Sequence, residues 1–340
     1  MIRQCLRTIL LILVLAPAAM AQQQPHYTQY IMNPFILNPA VAGIESYWDI
    51  KASHRHQWAG LQDAPVTTYL SAHGPVGKYS RNNTTPTDMR YTSRDKTYWD
   101  DYKAPEGHPG VGLTVLSDVT GPIRRFSVNA AYAHHIGLGP KTSISLGIGA
   151  GMQTYSLDAD KLEFADPGDP TMTGVGLMRK WKPDISAGIW LYSADFFGGV
   201  SMQNIIPQEL TFDKGEVITA DERGKLMPHL FITAGYRLWL NNDFSVLPSV
   251  MLKVIEPAPL GIDVNAKLLY RDRLWLGANY RVDDGFAGLL GVYITPVLNI
   301  GYAYDYTASS LNYISKGTHE ITIGLTLGNR SGAFAPGHNW

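Results

Sequence analysis

Along 298–306, Leu298, Ile300, Tyr302, Tyr304 and Tyr306 alternate with Asn299, Gly301, Ala303 and Asp305. Along 318–327, Ile321, Ile323, Leu325 and Leu327 alternate with Glu320, Thr322, Gly324 and Thr326. A period of two predicts strands with one apolar and one polar or small face. The alternation recurs in about fourteen segments, a strand number within the range of single-chain barrels. They begin near Trp48, Val66, Val111, Phe126, Ser143, Ile185, Phe197, His229, Phe244, Leu260, Leu274, Phe286, Leu298 and Thr318. The clearest sets Ile144, Leu146, Ile148 and Ala150 against Ser145, Gly147, Gly149 and Gly151. No helical period interrupts the series. So long a β-meander leaves exposed edges unless it closes on itself, so an all-β, antiparallel barrel is expected.

The joins point to a membrane. Those after even segments are tight: 137–141, 193–196, 241–243, 271–273 and 295–297. Those after odd segments include 157–182, 204–228 and 307–317, which are long. Outer-membrane barrels show this asymmetry, with short periplasmic turns and long outer loops. The cell outer membrane is therefore the expected location, with membrane lipids around the wall and both termini in the periplasm. One join breaks the rule. The 76–108 insertion should be a short periplasmic turn, yet it is long and mixes charges with Tyr91, Tyr98, Trp99 and Tyr102. It reads either as a mobile insertion or as a docking surface for a periplasmic partner, for which those four aromatics are the candidates.

Aromatics and charges orient the two faces. Trp48, Tyr132, Tyr236, Tyr270, Tyr280 and Tyr306 lie on the apolar faces at or near segment ends, as an interfacial girdle requires. The opposite faces carry Lys51, Arg55, Arg237, Lys253, Asp263, Lys267, Arg281, Asp305 and Glu320, which are costly toward lipid and tolerable in a lumen. The apolar faces therefore point outward. Lys51, Arg55, Asp305 and Glu320 are the lumen-facing polar candidates. If the last strand closes on the first, Glu320 comes near Lys51 and Arg55.

Composition fits this picture. Of 340 residues 17% are charged, Gly (33) and Tyr (19) are abundant, and the net charge of −1 implies no nucleic-acid partner. Residues 1–21 read as a signal peptide, with Arg3 and Arg7, an apolar run, and Ala19-Met20-Ala21 at the cleavage site. The single cysteine, Cys5, falls inside it. Residues 22–46 form an N-terminal segment in which Asn33-Pro34 and Asn38-Pro39 initiate turns. Its apolar residues need cover, so it packs against or inside the barrel of 47–328, as an arm or a plug. Residues 329–340 are a tail.

The search for chemistry returns little. His54 and His56 share a strand face and His134-His135 are neighbours, but no cysteine or carboxylate set completes a metal site. Asp158, Asp160, Glu163, Asp166 and Asp169 lack calcium-loop spacing, because Leu162 and Phe164 occupy ligand positions. Gly147 to Gly151 is period-two glycine in a strand with no following helix, and so not a phosphate loop. There is no G-x-S-x-G element. No enzyme, cofactor or metal is expected.

Several stretches, in order, resemble the PorP/SprF family of type IX secretion and gliding-motility outer-membrane proteins. They are YTQYIMNPFILNPAVAG (27–43), HQWAGLQDAPVTTYLSAHGPV (56–76), GVGLTVLSDVTGP (110–122), LEFADPGDPTM (162–172) and YAYDYTASSLNYISKGTHEITIGLTLG (302–328). The resemblance implies a non-enzymatic barrel that supports secretion. It would either anchor the periplasmic ring of PorK-type and PorN-type proteins or escort an adhesin-type cargo and its signal domain. The 76–108 insertion and the 329–340 tail depart from the family pattern. The alternative is a fourteen-strand transporter of small hydrophobic molecules. It requires a contiguous apolar cavity with a lateral opening, where the secretion reading requires a filled lumen.

Overall fold

The computed structural model describes residues 29–77, 96–100, 102–158, 161, 178–209, 225–282, 284–308 and 314–328. Their barrel strands are β1 (Trp48–His56), β2 (Val66–Pro75), β3 (His108–Thr120), β4 (Ile123–Gly137), β5 (Thr142–Leu157), β6 (Met178–Ser193) and β7 (Phe196–Gln203). Then come β8 (His229–Tyr236, continued by Leu238–Trp239), β9 (Phe244–Val254), β10 (Gly261–Tyr270), β11 (Leu274–Arg281), β12 (Gly285–Tyr293), β13 (Leu298–Thr307) and β14 (Thr318–Leu327). Each is antiparallel to the next, and β14 pairs with β1 from Trp48↔Leu327 to His56↔His319, closing a fourteen-strand barrel.

The alternation sets the faces as expected. Ile148 is 64% exposed between buried Gly147 and Gly149, and the six girdle aromatics are all exposed. These side chains form the outer wall, because a barrel in a bilayer turns its apolar surface to lipid. The chain is an outer-membrane β-barrel.

Three details differ from the sequence pattern. β6 begins at Met178, so β5 and β6 form the tallest hairpin. At the long-loop end the joins 121–122 and 282–284 are tight, and at the other end the β2–β3 join is long, so the asymmetry has exceptions at both ends. The lumen face, expected to be polar, is also rich in apolar groups: Trp190, Tyr192, Phe197, Leu247, Leu269, Trp275 and Leu289 are buried there. They pack on Met32, Phe35, Val41 and Ile44, residues upstream of β1.

The closing ladder carries a connected set of ion pairs. Arg55 on β1 lies directly opposite Glu320 on β14. Its Nη1 donates to Glu320 Oε2 at 3.1 Å and its Nη2 to Asp305 Oδ2 on β13 at 2.7 Å. Lys51, opposite Gly324, pairs instead with Asp49 on its own strand. Glu320 and Arg55 are buried, so Arg55→Ala strips the guanidinium from two interior carboxylates. The expected loss is about 3–5 kcal/mol, read as a lower denaturant midpoint for the micelle-embedded barrel. Replacing all three charged groups with apolar residues of similar volume should recover most of it.

Candidate functional site: the occupied lumen and its short-turn rim

The segment before β1 fills the lumen. Pro34–Ile36 and Pro39–Val41 are single 3-10 turns, each opened by the Asn of an Asn-Pro pair. Proline suits the first turn because its missing N–H has no partner there anyway. Asn38 caps the second turn, its Oδ1 accepting from Ala40 N–H at 2.9 Å. Residues 29–33 and 39–45 are buried, and Ala40 and Ala42 have no exposed surface.

A chain without a ladder of its own must satisfy its peptide groups on the wall. Ser201 Oγ and Gln203 Nε2 on β7 donate to Leu37 O, at 2.7 and 3.0 Å, and Ser145 Oγ on β5 donates to Ala40 O at 2.6 Å. His135 Nε2 on β4 meets Ala42 O at 2.8 Å and His108 Nε2 on β3 meets Gly43 O at 3.1 Å; these two rings stack with centroids 4.6 Å apart. Gly43 N–H donates to His73 Nδ1 on β2, and Asn33 Nδ2 to Ser71 Oγ. Gln29 Nε2 donates to Glu320 O at 2.9 Å. Glycines bring the wall close enough. A Cβ at Gly110 would lie 2.0 Å from Ala42 O, and one at Gly147 would lie 2.3 Å from Ala40 N.

These contacts give the segment a direction. Gln29 meets Glu320 near the long-loop end, and Gly43 lies against Gly74 and Gly110 near the short turns. An even strand count puts Trp48 and Leu327 at one end, but the chain upstream of Trp48 runs back through the lumen. The strand ends therefore share a side, while Gln29 lies toward the other. A cavity of about 60 Å³ lies between Phe35, Ile36 and Pro39 and the wall groups Arg125, Asn129 and Asp184.

The rim at the short turns is covered in part by the 76–108 insertion. Its helix α1 (Lys96–Asp100) lies over the turns of the barrel, with Lys96 N–H donating to Asn242 O at 3.0 Å and Lys141 Nζ to Asp100 O at 2.6 Å. Trp99 and Tyr102, proposed above for docking, are buried at 2% and 3% exposure against Ala194 and Trp239. The Trp99 indole donates to Asp272 Oδ2 at 2.7 Å. Arg237 lies 4.5 Å over the Trp99 ring and binds Asp272 at 2.9 Å. Both rings are thus used inside the chain. Tyr91 and the Tyr98 side chain lie outside the described residues. Trp99→Ala is expected to release this anchor and speed tryptic cleavage at Lys96 and Lys103, with the barrel core left resistant; fragment masses over a time course check it.

Lys51, Arg55, Asp305 and Glu320 are all buried on the lumen side. His54 and His56 face outward, and His135 faces the segment with His134 on the opposite side. Among the described residues no three His, Cys, Asp or Glu side chains converge. Asp160, Glu163, Asp166 and Asp169 lie outside them. Sequence reasoning missed the wall groups that hold the segment: Ser71, His73, His108, Ser145, Ser201 and Gln203. Their only signal is a polar residue at an inward position, which any lumen would show.

Comparison with known proteins decides the family. A family model described as "Type IX secretion system membrane protein PorP/SprF" matches residues 19–325. The chain belongs to the PorP/SprF family. Membership assigns it to a secretion-system membrane component and not to a class of enzyme. A search of curated proteins found no match. Among solved structures, this PorP/SprF protein is similar to the Ralstonia pickettii toluene transporter TbuX at 9% identity and TM-score 0.48, over 88% of this chain and 92% of that one. It is similar to a Pseudomonas aeruginosa FadL homologue at 10% identity and TM-score 0.47, over 91% and 96%. Acinetobacter baumannii Omp33 gives 7% identity and TM-score 0.45, over 84% and 99%.

Proposed function

We propose that this PorP/SprF barrel supports type IX secretion as a docking platform, with its lumen closed, and does not conduct solutes. It anchors the periplasmic ring of PorK-type and PorN-type proteins or escorts an adhesin-type cargo through its signal domain. The observation that supports this reading is the occupied lumen: residues 29–46 are hydrogen-bonded to at least six strands and packed on the apolar groups of the inner wall. A transporter of small hydrophobic molecules needs a continuous apolar path, and the cavities described beside the segment are separate and small, about 60 and 10 Å³. The short-turn rim, with α1 fixed across it, is the periplasmic docking face in this reading.

A pull-down from detergent-solubilised membranes tests it. Recovery of ring proteins or of a large adhesin is expected. Recovery of neither, together with normal export of signal-bearing cargo and failed uptake of an apolar nutrient in a deletion strain, would overturn it in favour of transport.

A further inference from the structure

The fourteen ladders of the barrel are unequal. β5 and β6 are joined over sixteen register pairs and β4 and β5 over fifteen. β6 and β7 share six, from Ala187↔Met202 to Tyr192↔Phe197; β8 and β9 also share an unbroken run of six, which Leu238↔Val246 and Trp239↔Ser245 extend. Between Met178 and Ser186 the described residues give β6 no ladder with β7. Instead Ile205 N–H donates to Ile185 O at 3.1 Å, and the Gln208 amide to Pro183 O at 2.6 Å. Three glycines lie in the short ladder, Gly188 on one strand and Gly198 and Gly199 on the other.

What the strands lack, the lumenal segment supplies. Asn38 Nδ2 donates to Ile189 O at 3.0 Å and to Val200 O at 3.3 Å, and these two residues face each other across the ladder. The wall is shaped for that amide: a Cβ at Gly188 would lie 2.0 Å from Asn38 Oδ1, and one at Gly199 would lie 3.1 Å from Asn38 Nδ2. The inward side chains Ser201 and Gln203 of β7 bind the segment and not β6. Trp190 and Phe197 stack on each other behind the ladder, beside a small apolar cavity lined by Tyr30, Ile31 and Leu37. On the outer surface Ile189 and Val200 stand exposed toward lipid.

We infer that the β6–β7 ladder is a lateral gate in the barrel wall, latched from inside by Asn38. A sheet opens first where its own ladder is shortest. When the segment shifts, its amide leaves both carbonyls, and the β6–β7 ladder parts before any other. The lumen then communicates sideways with the bilayer, and the two released strand edges become available for pairing. The segment controls whether the wall is continuous as well as whether the lumen is full.

Hydrogen exchange on the full-length protein in lipid nanodiscs tests this. Two variants separate the latch from the turn it caps. Asn38→Ala removes both, whereas Asn38→Ser keeps a capping oxygen but has no amide to reach the ladder. Both are expected to speed exchange of the β6–β7 ladder amides in 187–192 and 197–202 by roughly thirtyfold, as losing two hydrogen bonds of about 1 kcal/mol each implies. Exchange on β4–β5 should not change. A second arm adds Ile189→Cys and Val200→Cys, which introduce the only cysteines outside the segment of 1–21. Oxidation of that pair in the Asn38→Ser background should return exchange to the parental rate, and reductant should release it. Three results would each overturn the gate: unchanged exchange in both Asn38 variants, an equal rise on every strand, or a rise that the oxidised pair fails to suppress. Heat-modified migration on gels confirms that each variant is a closed barrel before exchange is read.

Discussion

Deleting residues 29–46 is expected to turn the barrel into an open pore. The segment occupies the lumen along most of its height, from Glu320 near the long loops to Gly110 near the short turns. Without it, the inner wall keeps Arg55, Asp49, Lys51, Asp263, Lys267 and Arg281, a charged lining that water can enter. It also loses the cover of Trp190, Leu247, Leu269, Trp275 and Leu289, now facing that water. Apolar burial contributes about 25 cal/mol per Å², so uncovering several such side chains costs several kcal/mol. The barrel should therefore conduct and also melt at lower temperature. Planar-bilayer recording of the refolded deletion variant checks the first effect and gel heat-modification the second. Persistent silence of a folded deletion variant would mean that something other than this segment closes the lumen.

Gly110→Val should reproduce much of that loss with one residue. The added Cβ would sit 2.0 Å from Ala42 O and 2.7 Å from the Gly43 Cα, and both neighbours are backbone. Neither can rotate away, so the segment must leave its seat or β3 must bend. Overpacking of this kind costs about 1–3 kcal/mol where side chains yield and more where they do not. The decisive comparison is a double-mutant cycle. Gly110→Val should lower the melting temperature and raise conductance in the parent, and do neither in the 29–46 deletion, where the atoms it strikes are gone. An equal effect in both backgrounds would place the damage in the sheet itself.

The barrel was legible in the sequence for a simple physical reason. A strand wetted by lipid on one side writes its orientation into every second residue, so Ile144, Leu146 and Ile148 point outward as read. The Arg55–Glu320 pair was legible for the same reason, since closing the sheet brings two inward charges onto neighbouring strands. The lumen was not. Trp190, Leu269 and Trp275 are inward residues that break the polar rule, and their reason is Phe35, Met32 and Ile44, far away in the chain. Gly147 looked like strand glycine, and it is; that it makes room for Ala40 appears only when the two are in contact. For Trp99 and Tyr102 of the insertion, composition marks a sticky surface without saying what it sticks to. Trp99 adheres to its own barrel through Asp272 and Arg237.

The arginine on the closing ladder has one more consequence, for how the barrel is made. Arg55 belongs to the first strand, and its two carboxylates lie 250 and 265 residues later. Until the last strand arrives, Arg55 and Glu320 lie on the two outermost strands of an open sheet. Inward charges at sheet edges discourage pairing with a foreign chain. The same charges attract each other once the correct ends meet. A network that looks like a clamp in the finished barrel thus guards its ends against the wrong partner while the sheet is still open.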